Sequence, residues 1–211
     1  MFTLLLTGVV YGLLYALLIL GIIAYTSTFE WLLHRNVMHR PLGKFTYPFK
    51  AHAIVHHGLF KADATYHLSA HQNQGDKKTI PMAWWNALFL IPIAASPFIL
   101  PAFIGGRSVV ITAMIIIAAY YGLYEYIHFC MHLPKQRKIE CLGIFRRLNG
   151  HHVLHHRYMH KNFNVVLPLA DWLFGTLLIR SPVAFAQVRG TAVPDVQPKN
   201  QAQVLHEMLQ Q

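Results

Sequence analysis

Charge is scarce in this chain. Only 12% of its 211 residues are Asp, Glu, Lys or Arg, against roughly 25% in soluble domains. With 55% hydrophobic residues, the shortage points to a protein that lives in a lipid bilayer. Cysteine is scarcer still: Cys130 and Cys141 are the only two and form no C-x-x-C pair, which argues against a disulfide framework or a zinc knuckle. Residues 1–25 carry no charge, and no Lys or Arg precedes Arg35. A cleaved signal peptide needs a basic leading region and a short apolar core, so this run reads as a retained membrane helix of the ~20 residues needed to span. Acids number only eight, which gives two of them, Glu30 and Glu125, particular weight.

Histidine is the residue in excess, with fifteen in the chain. The densest stretch is Asn149 to His160, where His151, His152, His155, His156 and His160 make five in twelve. Helical spacing puts His152, His155 and His156 on one face. A neutral imidazole is a metal ligand, so a face of three is half of a binuclear cage. Three further clusters occur: His34 with His39, His52 with His56 and His57, and His128 with His132. His52 and His56, like His128 and His132, are one helical turn apart. His34 and His39 differ by about 140° on a straight helix, so the helix must end or bend there if both serve one centre; Pro41 and Gly43 supply a stop. Glu30 lies four residues before His34 and Glu125 three before His128, where a carboxylate can orient an imidazole from behind. His67, His71 and His160 read as surface or outer-sphere groups, and His206 as a plain surface residue of a polar tail.

Two more apolar segments, 84–103 and 109–127, are joined by a short turn through Gly105 and Gly106 and read as a helical hairpin, with Pro92, Pro97 and Pro101 kinking its first arm. Residues 133–150 are basic and read as a surface segment. Pro168 and Asp171 argue against a further span beyond 161. The whole is an all-α membrane bundle of three to four spanning helices with a histidine-rich cap, a single domain over residues 1–180, and a peripheral tail over 181–211. Seven of the eighteen Lys and Arg residues lie between His34 and Lys78 and seven between Lys135 and Lys161. Positive loops stay cytoplasmic, so the N-terminus is expected outside and all four histidine clusters inside, in a bacterial inner membrane or the endoplasmic reticulum. Nothing suggests a nucleic-acid partner.

Ten histidines exceed what one ion can take and suit two. All-nitrogen ligation suits iron, zinc or copper, not magnesium or calcium, and a structural zinc site would need only four ligands. Redox metals at the base of an apolar bundle suit O2 attack on a lipid C–H bond. A di-haem cytochrome would place its histidines within the spanning helices, and a metal transporter would place ligands near the bilayer midplane; here the histidines sit at helix ends and in loops.

The sequence resembles the fatty acid hydroxylase/sterol desaturase superfamily of membrane di-iron enzymes. The resemblance rests on His34-x4-His39, His52-x3-His56-His57, His128-x3-His132 and His152-x2-His155-His156, and continues through Asn162-Phe163-Asn164, where Asn164 replaces a glycine, and Asp171 to Thr176. It implies a small helical bundle with a cytosolic metal cap, the ten clustered histidines as ligands of two iron ions (zinc in purified material), and O2-dependent hydroxylation of a fatty acyl, sphingolipid, sterol or carotenoid chain. Desaturation by the same machinery, or a non-enzymatic metal-binding or transport role, are the alternatives. Electrons are expected from a separate cytochrome b5-like or ferredoxin-like donor.

Overall fold

The computed structural model describes residues 2–68 and 76–179, and the side chains of residues 7–68 and 77–179. The tail and His206 lie outside the described residues, as does His71. The described residues are all-helical, with no strand beyond one isolated bridge between Leu42 and Phe45. Helix α1 runs Phe2–Leu33 and continues as a π-helical turn, His34–Met38. A second π-helical stretch, Lys50–His56, follows a loop through Pro41. Helix α2 (Asn86–Ala95) passes through a 3-10 turn at Ser96–Phe98 into α3 (Ile99–Gly105). That break falls at Pro97, as proline's missing donor requires. Gly106, at φ 77°, reverses the chain into α4 (Arg107–His132). Helix α5 (Gly143–Arg157) and a short α6 (Leu169–Leu173) complete the described chain.

Three of these stretches, Thr7–Met38, Asn86–Gly105 and Arg107–His132, are long and apolar enough to cross a membrane. Their outer faces are bare hydrocarbon: Leu13, Leu17, Leu100, Phe103 and Ile104 are all largely exposed. In water such exposure would be costly; in lipid it is the resting state. Where the spans meet, small residues let them close. Ala94, Ala95 and Ala113 are buried against Ile22 and Ile117. Cap and bundle are joined by a second core, in which Tyr124, Ile127 and Met131 of α4 pack on Phe145 and Leu148 of α5 and on Val165. This contact holds α5, with its histidines, under the inner ends of the spans.

Candidate metal centre

The ten clustered histidines are all buried and form two groups. The first comprises His34, His39, His52, His57 and His155; the second comprises His56, His128, His132, His152 and His156. Within each group one nitrogen per residue lies within 4.8 Å of all the others. Those facing nitrogens include Nε2 pairs 2.8 Å (His34–His52), 3.1 Å (His57–His52) and 3.0 Å (His39–His155) apart in the first group. In the second, His152 Nε2 sits 3.2 Å from His132 and 3.0 Å from His156. Neighbouring imidazoles on one ion at ~2.1 Å would be about 2.9–3.4 Å apart.

The motifs do not map one to one onto the groups. His52 and His57 enter the first group while His56 enters the second; His155 enters the first while His152 and His156 enter the second. The two triplets therefore form a shared wall, with rings stacked across it: His57 on His156 (4.2 Å between centroids), His52 on His56 (5.1 Å) and His152 on His155 (5.7 Å). The expectation that His52 and His56 act together as an i, i+4 pair is corrected here. The π-helical geometry winds wider than an α-helix and makes His52 and His57, five apart, the pair of one group. The same geometry answers the 140° problem at His34 and His39. The helix widens into a π-turn before it ends at Met38, and His39 N–H donates to the His34 carbonyl at 3.1 Å.

Main-chain carbonyls fix the rings from outside. Nδ1 of His155 donates to Lys161 (2.8 Å), that of His156 to Phe60 (2.5 Å), that of His132 to Tyr66 (2.9 Å), that of His56 to Thr79 (3.2 Å), and that of His34 to Phe163. A carbonyl only accepts, so each of these Nδ1 atoms carries the proton and each Nε2 keeps its lone pair for the interior. His56 Nε2 and His128 Nε2 are buried without any hydrogen-bond partner. Converging, orphaned lone pairs are the donor set of a transition-metal site, and imidazole suits iron, zinc or copper.

Outside the spans, burial first and neighbouring imidazoles second hold His39, His52, His56, His57, His152, His155 and His156 well below the usual histidine range. They stand neutral and ready to bind metal at pH 7. In an unfolded chain they take protons near pH 6.5, so their contribution to stability is complete above that value and is lost as pH falls towards the depressed folded values. Metal-free protein is therefore expected to melt at progressively lower temperature from pH 7 to pH 5. A flat melting profile over that range, followed by circular dichroism in detergent, would contradict this.

Glu30 and Glu125 do not occupy the positions expected of them. Glu30 is not hydrogen-bonded to His34; it accepts hydrogen bonds from Tyr120 Oη (2.6 Å), the Val165 amide (2.6 Å) and Asn164 Nδ2 (3.0 Å). Glu125 accepts from the Met82 amide at 3.2 Å rather than from His128. One turn of helix brings a carboxylate to the height of the histidine, but a backbone carbonyl already holds the His34 ring. Asp171, which the sequence marks both as an obstacle to a span and as the start of the family-like Asp171 to Thr176 ending, is fully buried. It accepts from the Phe163 and Asn164 amides (2.9 and 2.7 Å), Thr176 Oγ1 (2.6 Å) and His151 Nε2 (3.1 Å). Burial raises its carboxyl, but these four bonds outweigh burial and hold it below the usual range. His151 is thus engaged with Asp171 and belongs to neither group. His67 donates to the Met131 carbonyl at 2.9 Å, and His160 is exposed. The signal that could have revealed Asp171 was its setting, a lone acid in an otherwise apolar segment.

A cleft runs between α1, α2 and α4. Phe29, Leu33, Leu90, Ala94 and Ile117 line it, and it closes against His34 of the first group and Tyr124. The Tyr124 ring stacks on His128 of the second group at 5.7 Å. From Thr26 to His34 the slot is about 12 Å long, by helical rise. Glu30 borders it, but its oxygens are turned to their three partners, so the slot offers hydrocarbon to whatever enters.

Set against known proteins, residues 18–176 match the family described as fatty acid hydroxylase. No curated protein and no solved structure gives a significant match.

Proposed function

The chain belongs to the fatty acid hydroxylase family, and from that premise we propose that it is an O2-dependent membrane oxygenase that hydroxylates a C–H bond of a lipid. The observation that carries the proposal is an apolar slot between the spans lined at one end by His34 of the first five-histidine group and by Tyr124, whose ring stacks on His128 of the second. Each group would hold one iron ion through one nitrogen of each of its five imidazoles, with main-chain carbonyls fixing the rings of His34 and His155 in the first and of His56, His132 and His156 in the second. When bound, iron supplies the activation of O2 that a protein side chain cannot.

The chain's own residues do the rest. Phe29, Leu33, Leu90 and Ile117 take up the hydrocarbon and exclude water, which confines oxidation to the bound chain. His34 and Tyr124 at the slot's end bring the lipid carbon up to both groups. The overall change consumes the lipid, O2, two electrons and two protons and yields the lipid alcohol and water. The electrons come from a separate one-electron donor of cytochrome b5 or ferredoxin type. The two blocks of seven basic residues support a cap on the cytoplasmic side.

Mass spectrometry of lipids from cells with and without the chain, grown under heavy-isotope O2, tests the proposal. A lipid gaining one labelled oxygen is expected. A product that has only lost two hydrogens would replace hydroxylation by desaturation, and no change in any lipid would end the enzymatic reading.

A further inference from the structure

The two histidine groups are alike in number and burial, but what stands behind them differs. The rings of His34 and His155 in the first group are held by the carbonyls of Phe163 and Lys161. Both carbonyls belong to one tight turn, which Asn162 enters with φ 57°, a left-handed conformation that Asn tolerates. Two buried carboxylates from opposite sides fasten that turn. Asp171 receives the amides of Phe163 and Asn164 together with Thr176 and His151. Glu30, from within α1, receives the Val165 amide and the Asn164 side chain. Asn164, which stands where the family pattern has glycine, bridges the two acids: Nδ2 donates to Glu30 and Oδ1 accepts the Asp171 amide at 3.1 Å.

Among the described residues the second group has no such brace. His156, His132 and His56 lean on the carbonyls of Phe60, Tyr66 and Thr79, all in the connector that follows the second π-helical stretch. Of the acids along or beside that connector, Asp63 is exposed and accepts from the Thr65 amide and hydroxyl, and Glu125 accepts from the Met82 amide and the Tyr121 hydroxyl.

We infer that Asp171 and Glu30 are positioning residues for the first group alone, so that weakening either acid loosens the ion held by His34, His39, His52, His57 and His155 and spares the other. The inference rests on the metal-binding reading above. Its physical core is acceptor count. All four donors around Asp171 need an acceptor, and an amide of the same shape turns an N–H2 towards donors that have none. Two buried donors then lose their partners, and the Phe163 carbonyl moves off the His34 ring. Glu30→Gln disturbs the same turn through the Val165 amide and the Tyr120 hydroxyl. Outer partners of metal-bound histidine typically change affinity ~10- to 100-fold.

The test uses the full chain in detergent, with cobalt(II) alone as probe and chelator competition as readout. His128→Ala leaves the first group as the intact one; His57→Ala leaves the second. Asp171→Asn is expected to lower cobalt affinity ~10- to 100-fold in the His128→Ala background and to leave it unchanged in the His57→Ala background. The cobalt absorption band of the first group should change with it. Equal loss in both backgrounds, or loss only in the His57→Ala background, overturns the inference. Should Asp171→Asn fail to keep wild-type helicity, Glu30→Gln decides by the same comparison. A wild-type chain that binds no cobalt overturns the metal-binding reading itself, which separates the two failures.

Discussion

Replacing His155 or His156 by alanine is expected to abolish lipid oxidation, with turnover down by more than the ~100-fold that marks the upper range for outer partners. The reason is geometric. His155 Nε2 is 3.0 Å from His39 Nε2, and His156 Nε2 is 3.0 Å from His152 Nε2, so each variant opens one of five positions in a different group. Among the described residues no spare imidazole can move in. His151 is tied to Asp171 and His67 to the Met131 carbonyl. His155 also stacks on His152 across the wall, so its loss disturbs both groups. By contrast, His67→Ala removes one hydrogen bond worth about 1 kcal/mol and is expected to keep most turnover. The assay is labelled product formed in membranes at matched protein level, with reductant and O2 supplied. Substantial turnover in His155→Ala or His156→Ala would show that these imidazoles do not hold the reactive centre.

The second large effect is expected in the slot. Leu90 lines it from α2, whereas Leu88, two residues earlier, is 63% exposed on the outer face. Leu90→Trp would fill space that the hydrocarbon needs. One methylene excluded from an apolar site costs ~10- to 200-fold in specificity, so displacing several should lower kcat/KM by ~100-fold or more. Metal content should not change, since Leu90 belongs to neither histidine group. Leu88→Trp adds the same bulk towards lipid and is expected to behave as wild type. If the two variants proved equally active, the lipid would have to reach the histidines by another route. If both lost metal, the loss would be structural rather than a matter of access.

Much of the architecture was legible in the chain itself because it follows from composition and local spacing. The three apolar stretches fall where the spans do, since the length needed to cross hydrocarbon is set by helical rise alone. The ten histidines singled out by their clustering are the ten that converge, and the pair His128 and His132, one α-helical turn apart in α4, stay together in one group as their spacing demands. His206 and His71, expected to be spectators, lie outside the described residues.

How the ten divide was decided only by tertiary structure. Helical arithmetic assumes an α-helix, and it paired His52 with His56; the two π-helical stretches change the angle per residue and send His52 with His57 instead. No local pattern marks where a helix will widen, because the widening is stabilised by packing around the groups and not by the residues' own propensities. The acids were misplaced for a related reason. Glu30 and Glu125 were assigned to the histidines nearest in sequence, yet a carboxylate bonds whichever donors the fold brings to it. For Glu30 those donors come from residues 120, 164 and 165. Asp171, 137 residues from His34 in the chain, reaches the first group through the turn at Phe163. Sequence determined which side chains could serve a metal, because that is chemistry carried by each residue. Only the folded chain determined which of them act together and which acids stand behind them, because that depends on contacts between segments more than a hundred residues apart.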